Sequence, residues 1–395
     1  MIYDFDTYID RRGTDCVKYD ELEKRYGRAD LLPAWVADMD FPVQPEITDA
    51  LQKRIAHPIY GYGSVPEEFW QSIINWLVRR HGWKVGRDEI SFVPGVVKAI
   101  GFIVNHFTQP GDKIIIQPPV YHPFTFVPEA NRRHLVHNPL RRLADGNYEM
   151  DLEDLEKKII EHKPKMMILC NPHNPIGIQW DSDTLKKVAS ICHSHGVKVI
   201  SDEIHEDLML WGTRHIPFAS VSPEAEEISI TLGAPSKTFN IAGIVSSWVV
   251  IKNKEMRDSF FSWMAGNEFD APTFVAVTAT IAAYENGDKW LDQLIGYLEK
   301  NQLFLEEYLK TRIPSIKAVR PQASFLTWLD CRGIYPGEMS IHDKLDRFFV
   351  DQAGLALNNG FIFGQEGEGF MRFNIGCPRH ILQTALEKIA KALNS

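Results

Sequence analysis

Three polar motifs in the middle of the chain each follow directly on an apolar, strand-like segment. They bring Asn174, Asp202 and Lys237 to the ends of three consecutive predicted strands. Taken singly, each motif has a simpler interpretation: an Asn-Pro turn, a carboxylate that caps a helix, and a surface lysine. Together they supply an amide, a carboxylate and an amine. The three preceding segments are 166–170, 197–201 and 228–232.

The elements that must position these residues alternate between β-branched runs and helical patterns after about residue 85. Two further strands are predicted over 113–117 and 244–251. Apolar residues at helical spacing predict a helix over 183–195, with N-caps available at 181–183 and Gly196 placed to end it. This rhythm predicts a mostly parallel sheet covered by helices on both faces. Since ligands bind beyond the carboxyl ends of such strands, the three motifs should meet at one edge.

An amine, a carboxylate and an amide at one edge can hold a pyridoxal ring. A lysine amine forms an imine with an aldehyde carbon. A carboxylate keeps a pyridine nitrogen protonated, which makes the ring an electron sink. An amide donor can hold the phenolate oxygen of the same ring.

The chain resembles the fold-type-I pyridoxal-phosphate enzymes of the aspartate aminotransferase superfamily over essentially its whole length. It is most similar to the cystathionine β-lyase and cystalysin branch of carbon–sulfur lyases. This resemblance implies an α/β fold with a large cofactor-binding domain and a smaller α+β domain. It also implies β-elimination of a thiol from small cystathionine- or cysteine-type amino acids, with pyruvate and ammonia as the other products. The phrases that carry it are 35–41, 201–205 and 234–243.

The resemblance assigns roles around the pyridoxal ring. Lys237 would form the Schiff base and move the substrate α-proton, Asp202 would pair with the pyridine nitrogen, and Asn174 would bind the ring oxygen. Tyr121 would stack on the ring. His205 stands where many aminotransferases have a tyrosine. A direct cofactor contact and a supporting position behind the ring both remain open for it.

The phosphate of the cofactor would lie at a helix start. Backbone groups of Val96 and Val97 would bind it, because helix-start amides are unpaired and lie at the positive end of the helix dipole. Ser236 would add a donor, and Lys98 is either a ligand or a solvated helix residue. Val245 stands where many aminotransferases have an arginine, and this departure favours a lyase.

Two residues implied by the resemblance lie outside these motifs. Arg372 would hold the substrate carboxylate, since a guanidinium can bond both oxygens at once. Tyr62 would reach the phosphate of a neighbouring subunit, with Tyr60 as the competing choice. Each active site would then be shared within a homodimer, and Lys237, Tyr121 and Tyr62 would form the catalytic set.

Composition limits the other classes of function. The 395 residues carry a net charge of −9, which disfavours binding to nucleic acid, and no apolar run is long enough for a membrane helix. Five scattered cysteines without a CxxC pair, and no signal-like N-terminus, indicate a cytoplasmic protein. The predicted divisions are an N-terminal arm over 1–45, a large domain over 46–285 and a small domain over 286–395.

Other interpretations concern metal sites, phosphate loops and rival activities. His193 and His195 lack a third ligand, so no metal is expected, and the glycine-rich segment 364–369 carries two glutamates that would repel phosphate. An aminotransferase could use the same residues. A regulatory binding protein built on the same scaffold is the alternative from another class.

Overall fold

The strands that organise the chain are short and lie mostly in its middle and its C-terminal third. A computed structural model describes residues 2–394. In chain order the strands are β1 Leu32–Pro33, β2 Ile90–Val93, β3 Lys113–Ile116, β4 His134–His137, β5 Arg141–Arg142, β6 Tyr148–Glu149, β7 Met166–Cys170, β8 Lys198–Asp202, β9 Ser229–Gly233, β10 Ser247–Val250, β11 Lys317–Val319, β12 Leu326–Asp330, β13 Leu355–Ala356, β14 Asn358–Asn359 and β15 Phe370–Asn374.

Helices connect and cover these strands. They are α1 Val17–Asp20, α2 Leu22–Tyr26, α3 Pro45–Ile55, α4 Glu67–His81, α5 Val96–Phe107, α6 Pro123–Ala130, α7 Leu152–His162, α8 Ser182–Ser194, α9 Pro223–Ile228, α10 Pro235–Thr238, α11 Lys254–Gly266, α12 Phe274–Asn286, α13 Asp288–Arg312, α14 His342–Arg347 and α15 Arg379–Leu393. Among residues 2–394, no helix is both long and apolar enough to cross a membrane.

The large sheet has seven strands in the order β2-β10-β9-β8-β7-β3-β4. Strand β10 runs antiparallel to both of its neighbours, and the other pairs are parallel. The predicted mostly parallel sheet is therefore confirmed. Parallel neighbours need a crossover connection, and α8 supplies it between β7 and β8.

Side-chain alternation along the buried strands builds a separate core on each face of the sheet. Met166 and Ile168 pack in one apolar cluster with residues of α5 and α11. Met167 and Leu169 point the other way and pack with residues of α7 and α8. Because both faces are covered, β7 is apolar and buried at every position, as parallel strands in such folds are.

A smaller antiparallel sheet follows the long helix α13, with the order β11-β12-β15-β14. The N-terminal segment folds back toward this part of the chain. Leu32 pairs with Leu355 in a short parallel ladder, and the Tyr26 hydroxyl donates to the Leu357 carbonyl at 2.9 Å. These contacts agree with an arm that joins a small domain, although the divisions at 45 and 285 stay predictions.

Element boundaries differ from the predicted ones by small amounts, with one exception. The helix predicted over 183–195 begins at Ser182, because the Asp181 side chain accepts from the Thr184 amide at 2.8 Å. The strand predicted over 244–251 covers only 247–250. Residues 244–246 precede the strand, and Ile244 ends a turn in which its amide donates to the Ile241 carbonyl.

Candidate active site

The ends of three central strands bring the predicted chemistry together. Cys170, the last residue of β7, is paired with Asp202, the last residue of β8. Asn174 follows β7 in a loop, and Lys237 lies on α10, a single helical turn just beyond β9. Parallel strands in register end at the same edge, so residues far apart in sequence face one space.

A cavity of about 240 Å³ opens at this edge of the sheet. Lys98 and Val245 are among the residues that line it, but Arg372 and Tyr62 are not. Eight of the ten predicted site residues line it, namely Val96, Val97, Tyr121, Asn174, Asp202, His205, Ser236 and Lys237.

Lys237 is held by the backbone of the N-terminal segment. Its Nζ donates to the carbonyl oxygen of Ala37. Burial lowers the pKa of Lys237 to about 8, while the carboxylates of Asp38 and Asp202 act in the opposite direction. The lowered pKa brings the amine closer to its neutral, nucleophilic form at physiological pH.

Asp202 is a buried carboxyl group with little to stabilise its charge. Its Oδ1 accepts from the Ile204 amide at 3.2 Å. Burial raises the pKa of Asp202 to about 7, although that amide and Lys237 oppose the shift. A cation in the cavity would favour the ionised form, and a protonated pyridine nitrogen is such a cation. The carboxyl therefore fits the role predicted for it.

Arg372, on strand β15, lies next to the cavity and contacts its lining residue Asn174. Its Nη1 donates to Oδ1 of Asn174 at 3.1 Å, and its Nη2 donates to the Trp35 carbonyl at 3.0 Å. Its guanidinium also lies 4.9 Å from the ring centroid of Phe363. The Nε is buried without a hydrogen-bond partner, and burial lowers the pKa of Arg372 to about 10. An unpaired donor on a buried cation suits an anionic ligand such as a carboxylate.

Only one of the two polar side-chain atoms of Asn174 can hydrogen-bond to the cofactor ring. Since its Oδ1 already accepts from Arg372, the Nδ2 is the atom that can donate to a ring oxygen. One side chain therefore connects the predicted ring site with the predicted substrate carboxylate site.

His205 and Tyr121 line the cavity as neutral groups. Burial, with the positive charges of Lys237 and Arg372, lowers the pKa of His205 to about 3, and its Nδ1 is buried without a hydrogen-bond partner. Burial raises the pKa of Tyr121, so its phenol stays protonated at neutral pH. The ring contact and the supporting position both stay open as predictions for His205.

The predicted phosphate end of the cavity lies at the start of α5. The helix begins at Val96, and no side chain caps it at Gly95, whose φ is +107°. Its first amides therefore have no intrahelical partner and can bind an anion. Lys98, Ser236 and Val245 share this cavity. Unpaired amides, a hydroxyl and an ammonium group fit a phosphate without the arginine found in many aminotransferases.

Tyr62 and Tyr60 lie away from the cavity of their own chain. Tyr62 is fully exposed at 112% and Tyr60 is 56% exposed. The Tyr60 ring stacks on Phe274 with centroids 5.6 Å apart, and its hydroxyl donates to the Ile55 carbonyl. Tyr60 is thus engaged within its own chain, whereas Tyr62 projects outward. Its predicted reach into a neighbouring subunit stays a prediction.

Sequence reasoning missed several residues that line the cavity. The backbone carbonyl of Ala37 accepts a hydrogen bond from Lys237. Ile204, Cys170 and Ser246 also line the cavity. Ala37 lies within the quoted segment 35–41, so a signal was present. The contact with Lys237 could not be predicted, however, because every residue has a backbone carbonyl and the residue type does not show which one accepts.

Possible metal ligands also occur outside the cavity. His193 and His195 pair with glutamates on the surface, at 3.1 Å and 3.6 Å. Within residues 2–394, two sets of three possible ligand residues, mostly buried, meet around Glu206. The other members of those sets already have hydrogen-bond partners in the protein. The expectation that no metal is bound stays a prediction. The two sets are His81, Glu206 and Asp207, and Glu203, Glu206 and His215.

Comparison with known proteins identifies the family. The model of the class I and II aminotransferase family matches residues 36–389. The chain belongs to this family. The resemblance inferred from the motifs is thereby confirmed.

Full-length relatives place the chain in one branch of the family. It is 44% identical over 390 residues to the cystathionine β-lyase PatB of Bacillus subtilis, covering 99% of this chain and 100% of the relative. It is 34% identical to protein MalY of Escherichia coli, with full coverage of both chains. The crystal structure of cystalysin from Treponema denticola, which contains pyridoxal 5'-phosphate, superposes with a TM-score of 0.95 at 34% identity, covering 100% of this chain and 99% of that one. The predicted fold class and lyase branch are confirmed.

Proposed function

We propose that this protein is a pyridoxal-phosphate-dependent carbon–sulfur β-lyase. Its substrates are cystathionine and related cysteine-type amino acids, and its products are a thiol, pyruvate and ammonia. The observation that carries the proposal is that Lys237 and the buried Asp202 line the same cavity. The Arg372–Asn174 pair lies beside that cavity, where it can position the carboxylate of an amino acid.

The cavity can hold the cofactor by several independent contacts. Asp202 would meet the pyridine nitrogen, Nδ2 of Asn174 the ring oxygen, and Tyr121 the ring face. The amides at the start of α5 and the Ser236 hydroxyl would meet the phosphate. When bound, pyridoxal phosphate supplies an electron sink for the bond electrons at the substrate α-carbon.

The residues of this chain would carry out the remaining steps. Arg372 binds the substrate carboxylate and fixes which bond at the α-carbon faces Lys237. The Lys237 amine, with its lowered pKa, removes the α-proton. The bond from the β-carbon to sulfur then breaks, and sulfur leaves with the bonding electrons as a thiolate that takes up a proton. Water converts the remaining three-carbon fragment into pyruvate and ammonia.

Lyase activity is favoured over transamination by the relatives and by one cavity residue. Several relatives of this branch are named cystathionine β-lyase or carbon–sulfur lyase. Val245 lines the cavity where many aminotransferases have an arginine. We further propose a cytoplasmic homodimer in which Tyr62 of one subunit completes the site of the other. The outward position of Tyr62 and the five free cysteines support this assembly and compartment.

The test is an absorbance spectrum of the purified protein, followed by separate additions of cystathionine and cysteine. We expect a lysine-bound cofactor band. Cystathionine should give equal amounts of pyruvate and homocysteine, and cysteine should give equal amounts of pyruvate and hydrogen sulfide. Lys237→Ala should abolish both the band and the pyruvate. Lys254→Ala, at an exposed lysine, is the matched control and should change neither.

Other outcomes distinguish the rival functions. Conversion of the cofactor to its amine form, without pyruvate, would identify an aminotransferase. Partner binding that survives Lys237→Ala, with no turnover by the wild type, would support a regulatory protein. Absence of any cofactor band after pyridoxal phosphate is added would refute the proposal.

A further inference from the structure

A buried carboxylate lies directly behind the turn that carries Lys237. Oδ2 of Asp207 accepts from the Thr238 hydroxyl at 2.8 Å. Thr238 is the residue after Lys237 and the last residue of α10. Asp207 itself does not line the cavity, so any effect on the chemistry must pass through Thr238.

The turn that carries Lys237 has little support of its own. Helix α10 has four residues, and the backbone bonds that close it run from Phe239 to Pro235 and from Ile241 to Ser236. A helix this short is marginal without tertiary contacts. The bond from Thr238 to Asp207 is one such tertiary contact.

Asp207 is in turn fixed by helix α4. Its Oδ1 accepts from Trp76 Nε1 at 2.8 Å and lies 2.9 Å from His81 Nε2. The Trp76 ring also packs edge-on against Phe239, at 5.4 Å between centroids. Burial would raise the pKa of Asp207, but the bonds from His81, Thr238 and Trp76 hold it below its ordinary value. Asp207 is thus an ionised acceptor with three side-chain donors.

The neighbouring Glu206 does not compete for these donors. Neither of its side-chain oxygens has a hydrogen-bond partner, and its Oε2 lies 3.8 Å from His81 Nε2. Burial, together with the charges of Asp207 and Glu203, raises the pKa of Glu206 well above its ordinary value. This shift favours the neutral form of Glu206, and the carboxylate that accepts from the Thr238 hydroxyl is Asp207.

We propose that Asp207 is a positioning residue for Lys237, acting through the Thr238 hydroxyl. This inference rests on the proposed function and deepens it. Asp207 ties the one-turn helix to α4, so that the Lys237 amine keeps its position in the cavity. A displacement of the order of 1 Å at a reacting group can cost about 100-fold in rate, so the contact matters for turnover as well as for stability.

The test compares Thr238→Val with Thr238→Ser in the holoenzyme. Valine has the shape of threonine but no hydroxyl, whereas serine keeps the donor. We expect Thr238→Val to lower kcat about 10-fold or more, with KM within about twofold, because substrate contacts are unchanged. The pH midpoint of the lysine-bound cofactor band should also shift. Thr238→Ser should restore both properties.

A matched control separates positioning from stability. The Thr327 hydroxyl donates to Gln302 at 2.6 Å, is buried, and lies in the smaller sheet. Thr327→Val should lower Tm while leaving kcat and the band midpoint unchanged. If Thr238→Val behaves in the same way, Asp207 is only structural and the proposal is overturned.

Failure of this inference can be told apart from failure of the proposed function. If the wild type shows no lysine-bound cofactor band, the proposed function fails, whatever the variants do. If the wild type is an active lyase and Thr238→Val keeps its kcat and band midpoint, only the positioning role fails. Should Thr238→Val not fold, Thr238→Ala removes the same hydroxyl with less bulk and is judged by the same criteria.

Discussion

Nη1 of Arg372 and Oδ1 of Asn174 are 3.1 Å apart although 198 residues separate them in the chain. The bond joins the smaller antiparallel sheet to the loop after a central strand of the large sheet. It couples the group proposed to bind the substrate carboxylate with the group proposed to bind the cofactor ring. A substitution at either residue should therefore affect the binding of both the substrate and the cofactor.

Arg372→Lys should weaken substrate binding more than it affects the cofactor. A lysine keeps the charge but cannot bond Asn174, the Trp35 carbonyl and a carboxylate in one plane. We expect KM for cystathionine to rise about 10-fold or more, while the cofactor band remains. Arg320→Lys, at an exposed pair with Glu306, is the control and should leave KM unchanged. An unchanged KM in Arg372→Lys would place the substrate carboxylate elsewhere.

Asp202→Asn should change how the stability of the cofactor-free protein depends on pH. The folded-state pKa of Asp202, about 7, lies above its ordinary value of 3.8. The protonated Asp202 carboxyl therefore stabilises the folded state fully below pH 3.8. This stabilisation is lost as the pH rises through 7. Asparagine does not titrate, so the variant should lack this loss, which is of the order of a few kcal/mol.

Urea unfolding of the cofactor-free protein at pH 5 and pH 8 measures this effect. Wild type should lose more stability between the two pH values than Asp202→Asn. The same variant should hold the cofactor more weakly, because it cannot pair with a protonated ring nitrogen. Equal pH dependence of stability in the two proteins would show that folding does not raise the pKa of Asp202.

Val245→Arg should tighten retention of the cofactor. Val245 lines the cavity beside Gly95, with its Cγ1 3.8 Å from where a Cβ on that glycine would lie, and is 46% exposed. A guanidinium there can reach a phosphate at the start of α5, and we expect Kd for pyridoxal phosphate to fall about 3- to 10-fold. Equilibrium dialysis measures it, and Val245→Gln tests whether polarity without charge suffices. If Val245→Arg does not lower Kd for pyridoxal phosphate, the phosphate binds elsewhere.

Mixing two inactive variants tests whether the active site is shared. In hybrids of Lys237→Ala and Tyr62→Ala, one of the two sites has both residues intact. After unfolding and refolding together in equal amounts, we expect activity to return to about one quarter of wild type, because random pairing makes half of the dimers hybrid. Tyr60→Ala in place of Tyr62→Ala serves as the comparison. No recovery would show that Tyr62 acts within its own chain or not at all.

Local sequence patterns were sufficient to predict the central strands β7, β8 and β9 and the residues at their ends, whereas β4 at the edge of the sheet was not predicted. The run 166–170 is apolar at every position, and the two-sided burial of β7 explains why. Asn174, Asp202 and Lys237 lie at or just beyond the carboxyl ends of three strands that run parallel. Because parallel strands end at the same edge of a sheet, the order of motifs along the sequence implied that these residues share one edge. The start of β10 was predicted three residues too early, because Ile244 and Val245 are β-branched and apolar although Ile244 ends a turn.

The sequence alone thus determined the central strands, the edge at which the predicted site residues lie and the residue types available for chemistry, because periodicity and strand-end position are local properties. Packing decided which distant groups meet: Ala37 with Lys237, Arg372 with Asn174, and the carboxylate of Asp207 with the Thr238 hydroxyl. Such contacts depend on how helices and sheets orient against one another. Burial, which sets the pKa of Lys237 and of Asp202, is likewise a property of the assembled structure rather than of any segment.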